Sequence, residues 1–164
     1  MPNVFQFDAA DESATVSFGR ALADCLPPRS VVALCGTLGA GKTRLVQAVA
    51  EAAGVDPREV LSPTFVLIHE YRGRLPIAHF DAYRLRDDDE FLQLGPEEYF
   101  DAEGWTFIEW ADRVADCLPR ERLEIQIEPT GPTSRRFTIR GLGPRYEPVV
   151  AALAGDADGQ SKHG

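Results

Sequence analysis

The apolar run SVVALC, residues 30 to 35, has no polar interruption after its serine, which predicts a strand buried on both faces. Past a short glycine-rich turn, KTRLVQAVAEAAG (42 to 54) changes to helical spacing and stops at a glycine, so the two runs make a strand, loop, helix unit. Ahead of it, VFQF (4 to 7) reads as a strand, and DESATVSFGRALADCL (11 to 26) as an amphipathic helix capped by Ser13 or an earlier acid and ended by Pro27 and Pro28. TFVLIHEY (64 to 71) and LPIAHFDAY (75 to 83) are rich in strand formers and separated by RGR, which predicts an antiparallel hairpin. RDDDEFLQL (86 to 94) and PEEYF (96 to 100) read as short helices with acids in their first turns, where the helix dipole favours them. WTFIEW (105 to 110) is a further buried strand and ADRVADCL (111 to 118) a helix. RLEIQIE (122 to 128) and RRFTIRG (135 to 141), joined by PTGPTS, form a second hairpin, and EPVVAALAG (147 to 155) a terminal helix.

Strands alternating with helices, with hairpins added, predict an α/β fold, a three-layer sandwich on a mixed parallel and antiparallel sheet, and the turn from Gly36 to Thr43, which fits GxxxxGK[ST], makes it one of the P-loop NTPase kind. The chain has 164 residues, enough for one core, so residues 1–154 are expected to form a single domain and residues 155–164 a disordered tail. No apolar run approaches the roughly 20 residues that span a bilayer, and the N-terminus has no basic, then apolar, export pattern. Cys25, Cys35 and Cys117 are odd in number and lack CxxC spacing, which fits reduced thiols in a cytoplasmic protein rather than disulfides or a zinc site. The net charge of −9 opposes broad, direct binding to nucleic acid. Only Lys42 and Lys162 are lysines in a chain that otherwise uses arginine, and one of them stands in the glycine-rich turn.

That turn, Gly36, Thr37, Leu38, Gly39, Ala40, Gly41, Lys42 and Thr43, fits GxxxxGK[ST]. Glycines let backbone N–H groups curl around phosphate oxygens, the lysine reaches the terminal phosphates, and the threonine hydroxyl serves Mg²⁺. A phosphate-bound magnesium needs further oxygen ligands, which carboxylates at the ends of neighbouring strands supply. Asp81 closes PIAHFD and Glu109 closes WTFIE, so both acids are expected beside Thr43; each alone would equally suit a turn cap or a pair with Arg84 or Arg113. Ser62, Pro63, Thr64 and Phe65 read either as a strand entry shaped by proline or as a switch that senses the terminal phosphate. His69 and His79 alternate with apolar neighbours and read as sheet-facing. The run 87 to 90 reads as a solvated helix start. Trp110 belongs either to the core or to the site wall.

Taken in order, DESAT, GTLGAGKT, LSPTFVLIHEY, HFDAYRL, LGPEEYF and FIEWADRV resemble the TsaE (YjeE) family, the ATPases of tRNA threonylcarbamoyladenosine biosynthesis, across about residues 11 to 119. Thr37 stands where that family usually has an acid; it faces the outside of the loop in this reading. The resemblance implies that Leu38 to Thr43 wrap the ATP phosphates, that Thr43 and Glu109 hold Mg²⁺, and that Asp81 lies near the metal or the attacking water. It further implies that Ser62 to Phe65 form a switch, that Trp110 is the aromatic beside the acid, and that Glu12 lies near the nucleotide. Such a protein hydrolyses ATP slowly alone and works with the proteins TsaB and TsaD, meeting tRNA only through them. The acidic region 87 to 100 is then a candidate docking face. Two other readings of the loop stand beside this one. A small-molecule kinase would want an arginine-bearing lid and an acceptor pocket, for which the sequence offers Arg135 and Arg136 as its only adjacent basic pair and no lid-like insertion, and a nucleotide-sensing interaction module would need no hydrolysis.

Overall fold

The structure is a computed structural model that describes residues 3–37, 39–60 and 67–162, with residues 156–162 described by backbone alone. Seven strands form one sheet: β1 (Val4–Ala9), β2 (Val31–Gly36), β3 (Ile68–Arg72), β4 (Pro76–Asp81), β5 (Trp105–Glu109), β6 (Arg122–Pro129) and β7 (Arg135–Leu142). Their order across the sheet is β1-β7-β6-β2-β5-β4-β3. The four central strands, β6-β2-β5-β4, run parallel, and an antiparallel strand or hairpin partner extends each flank. This is the expected mixed α/β sheet, with both predicted hairpins present as β3/β4 and β6/β7.

The layers follow from alternation along the strands, since neighbouring residues point to opposite faces. One face of the sheet, with Val32, Leu34, Phe107, Ile125 and Phe137, packs under α1 (Glu12–Cys25), α2 (Lys42–Ala52) and the start of α5 (Glu147–Lys162). The other face, with Val31, Ala33, Phe80 and Ile108, is covered by α3 (Asp88–Gln93), α4 (Pro96–Phe100) and the 3-10 segment Ala111–Cys117. That second cover ends at β2. On β1, β6 and β7 the same face carries Gln6, Asp8, Gln126, Glu128, Arg136 and Arg140, all exposed. Leu45 of α2 is fully buried, and truncating such a residue to alanine costs about 2–5 kcal/mol.

Local signals explain the ends. Asp11 caps α1 through its side chain, which accepts from the Ala14 N–H, so the earlier acid rather than Ser13 performs the cap. Asp87 caps α3 in the same way on Glu90 N–H. Residues 111 to 117 form a 3-10 segment rather than the expected α-helix, because the chain enters it from a left-handed Trp110 and leaves helical geometry at Val114, whose side chain turns into the core. The terminal helix continues to Lys162, through residues where the sequence predicts a tail.

Candidate active site

All four parallel strands end on the same side, and the candidate residues gather there, outside the carboxyl ends, where ligands of open α/β sheets bind. β2 delivers Gly36 directly into the glycine loop. A side chain at Gly36 would place its Cβ 2.5 Å from the Ile127 carbonyl oxygen of β6, so only glycine lets the loop leave the sheet here. Gly41 precedes α2 with φ of 106°, a left-handed conformation that turns the loop into the helix and starts α2 at Lys42. Thr37 is exposed, as expected. Leu38 lies outside the described residues, as do Ser62, Pro63, Thr64 and Phe65.

Lys42 is 3% exposed, and its ammonium donates to the carbonyls of Gly36 (2.8 Å) and Thr37 (2.9 Å). The Trp110 ring lies against the same group, 4.0 Å from Nζ to the ring centroid, a cation–π contact. Trp110 reaches this place through a left-handed backbone, φ 59° and ψ 38°, unusual for a bulky residue, and Tyr83 packs on its ring. Trp110 thus belongs to the site wall. Burial pushes the Lys42 ammonium below its ordinary value, and the negative charges of Glu109 and Asp112, with smaller contributions from Cys35 and Asp81, oppose that shift.

Facing the loop, β4 and β5 place Asp81 directly beside Glu109 in parallel register. The Thr43 hydroxyl lies 2.9 Å from each carboxylate oxygen of Glu109, which is 5% exposed. Asp81 is half-buried and accepts from the Tyr83 N–H at 3.0 Å. Neither acid takes Arg113, whose guanidinium donates instead to the Tyr83 and Leu85 carbonyls. His79 is sheet-facing, as its alternation with apolar neighbours indicates, and its Nε2 is hydrogen-bonded to Glu109 Oε2. Its position two residues before Asp81 is the signal that places both on one face of β4. Asp112, unremarked in the sequence, acts electrostatically on Lys42 and Cys35.

Behind the loop is a cavity of about 600 Å³ lined by Glu12, Thr15, Gly41, Arg44, Arg135 and Phe137 among others. Glu12 pairs with Arg44 at 2.6 Å, which puts it beside the loop. Arg135 donates to the Ala40 carbonyl at 2.9 Å and braces the loop from β7, while Arg136 pairs with Asp8 on the open sheet face. Neither arginine is placed as a lid. Among the described residues no three His, Cys, Asp or Glu side chains converge as a metal cage. Thr43, Glu109 and Asp81 instead offer a short row of hard oxygen donors. That set suits magnesium, which binds one or two carboxylates and completes its shell with phosphate and water.

Comparison with known proteins places the chain in a family. A family model described as threonylcarbamoyl adenosine biosynthesis protein TsaE matches residues 9–137. The tRNA threonylcarbamoyladenosine biosynthesis protein TsaE of Bacillus subtilis (strain 168) is 43% identical over 77% of this chain and 79% of its own length. The protein of the same name from Treponema pallidum (strain Nichols) is 37% identical over 76% of this chain and 92% of its own. Among solved structures, Bacillus subtilis YdiB superposes with a TM-score of 0.77 at 31% identity, covering 98% of both chains. The chain, matched by the family model from the end of β1 to the start of β7, belongs to the TsaE family of tRNA threonylcarbamoyladenosine biosynthesis proteins.

Proposed function

We propose that this TsaE-family protein is a magnesium-dependent ATPase that serves tRNA threonylcarbamoyladenosine formation together with TsaB and TsaD. The observation that carries the reading is the convergence of the Thr43 hydroxyl on both oxygens of buried Glu109, at the mouth of a glycine loop that also buries a lysine. Gly36 to Thr43 bind the phosphates through backbone N–H groups and the start of α2. Lys42 stabilises the charge that grows on the phosphoryl oxygens, an effect strengthened in a site shielded from water. Thr43 and Glu109, with Asp81 beside them, would hold the Mg²⁺, which would supply charge neutralisation on the phosphates when bound. Asp81 orients or deprotonates the attacking water, and the cavity bordered by Glu12, Arg44 and Arg135 receives the nucleoside, its volume falling within the usual range of small-molecule sites.

A phosphate-acceptor kinase is less well supported, because Arg135 is committed to the loop and Arg136 to Asp8. Among the described residues no helix is long and apolar enough to cross a membrane. The test is a calorimetric titration of the protein with ATP and Mg²⁺, followed by a turnover assay with and without TsaB and TsaD. Binding in the titration and turnover raised by the two partners are expected. No heat at millimolar ATP, alone or with the partners, would overturn the proposal. Replacing ATP by a nonhydrolysable analogue in the modification assay separates an obligatory hydrolase from a nucleotide sensor.

A further inference from the structure

His79 occupies the middle of β4 and is 2% exposed. It pairs across the hairpin with His69 of β3 and sits in register with Phe107 of β5, two residues before the Asp81 and Glu109 pair. Two-residue alternation therefore puts His79, Asp81 and Glu109 on one face of the sheet. A carboxylate only accepts, so the imidazole Nε2 donates to Glu109 Oε2. The same oxygen and its twin both lie 2.9 Å from the Thr43 hydroxyl, and the imidazole bond is what distinguishes the two.

The other ring nitrogen sharpens the point. Among the described residues, buried His79 Nδ1 has no hydrogen-bond partner, nor has His69 Nε2 across the hairpin. A buried polar atom left unpaired costs about 1–3 kcal/mol, so a residue there for packing alone would be better apolar, like the neighbouring Ile77 and Phe80. What the imidazole provides that a phenyl ring cannot is one directed N–H on the carboxylate.

On the basis of the functional reading above, in which Glu109 holds the metal, we propose that His79 is a positioning residue. Its Nε2–H pins one oxygen of the Glu109 carboxylate and fixes the plane in which the other meets the divalent ion. Metal-binding side chains depend on such outer hydrogen bonds, whose loss weakens metal affinity about 10- to 100-fold. Electrostatic attraction alone would leave the carboxylate free to rotate about its last bond.

The experiment measures ATP affinity by calorimetry twice for each variant, in Mg²⁺ and in EDTA, and takes the ratio as the gain due to metal. His79→Gln keeps an N–H within reach of Glu109, whereas the shorter His79→Asn and the apolar His79→Leu do not. Expected is a gain reduced about tenfold or more in the Asn and Leu variants and kept within about threefold in the Gln variant, with affinity in EDTA unchanged in all. Thermal melting accompanies each titration; should the Leu variant fail to fold, the contrast between Asn and Gln decides. A wild-type gain left intact in every variant, or lost equally in Gln and Asn, overturns the role of His79 and leaves the ATPase reading standing. A wild-type protein that binds ATP with no gain from metal overturns the assignment of Glu109, and the role of His79 with it.

Discussion

Lys42 and Glu109 are the two buried charges of the site, 3% and 5% exposed, and they are held in opposite ways. The lysine is satisfied locally, by carbonyls five and six residues upstream, with the loop folded on itself through the Ala40 N–H to Thr37 carbonyl bond. The glutamate is satisfied from afar, by Thr43 at the start of α2 and by His79 on β4, 66 and 30 residues away in sequence. One wall is therefore a property of a short peptide segment and the other a property of sheet register. A one-residue slip of β4 against β5 would turn Asp81 and His79 to the face opposite Glu109 and leave the loop intact.

The sharpest break of that comparison is to delete each charge. Lys42→Ala and Glu109→Ala are each expected to lower ATP turnover with TsaB and TsaD by about 10³-fold, the scale set by removing one preorganised electrostatic partner of a transition state. They should differ in binding. Lys42→Ala weakens ATP with or without magnesium, whereas Glu109→Ala weakens it only when magnesium is present. Calorimetry in Mg²⁺ and in EDTA reads the difference, and full turnover by either variant would remove its residue from the site.

A smaller effect tests whether the loop wall is as local as it looks. Gly36 is the one loop residue whose missing side chain matters to a distant strand, because a Cβ there would lie 2.5 Å from the Ile127 carbonyl. Gly36→Ala should introduce about 1–3 kcal/mol of overpacking, felt as a lower melting temperature and as ATP affinity reduced about tenfold. A variant that melts and binds like wild type would show that the loop can lift away from β6 freely.

The same division governs what could be read from the chain. The loop is contiguous, and its spacing alone named Gly36 to Thr43, because backbone amides and a lysine act through sequence-local geometry. Asp81 and Glu109 were legible as strand ends, and their register confirms that they lie side by side. The sheet-facing place of His79 was legible from its apolar neighbours, but its bond to Glu109 was not, because the partner lies on another strand. Asp112 escaped for a related reason. Its charge acts on Cys35 of β2 and Lys42 of α2, both distant in sequence, and no local pattern announces that. The helix caps at Asp11 and Asp87, which depend on three-residue spacing, were within reach of sequence alone.

The smallest expected effect uses Cys35, the residue where the two walls meet. It ends the apolar run of β2 just before Gly36, and burial first, then the charge of Asp112, pushes its thiol from 9.0 up to about 11. Lys42 pulls in the other direction. At pH 8 the thiolate is then about a hundredfold scarcer than in the unfolded chain, although a more basic thiolate attacks faster, so the net slowing of alkylation by iodoacetamide is about tenfold. The rate should climb with pH until it levels near 11, as the proton is lost. Asp112→Asn removes a nearby negative charge and should speed the reaction about threefold, while Lys42→Met removes a positive one and should slow it by a similar factor. Mass spectrometry of the Cys35 peptide over time gives both rates. Opposite signs would show that the two walls act on one thiol through their charges, and a common sign would show that access to the sulfur, rather than electrostatics, sets its reactivity.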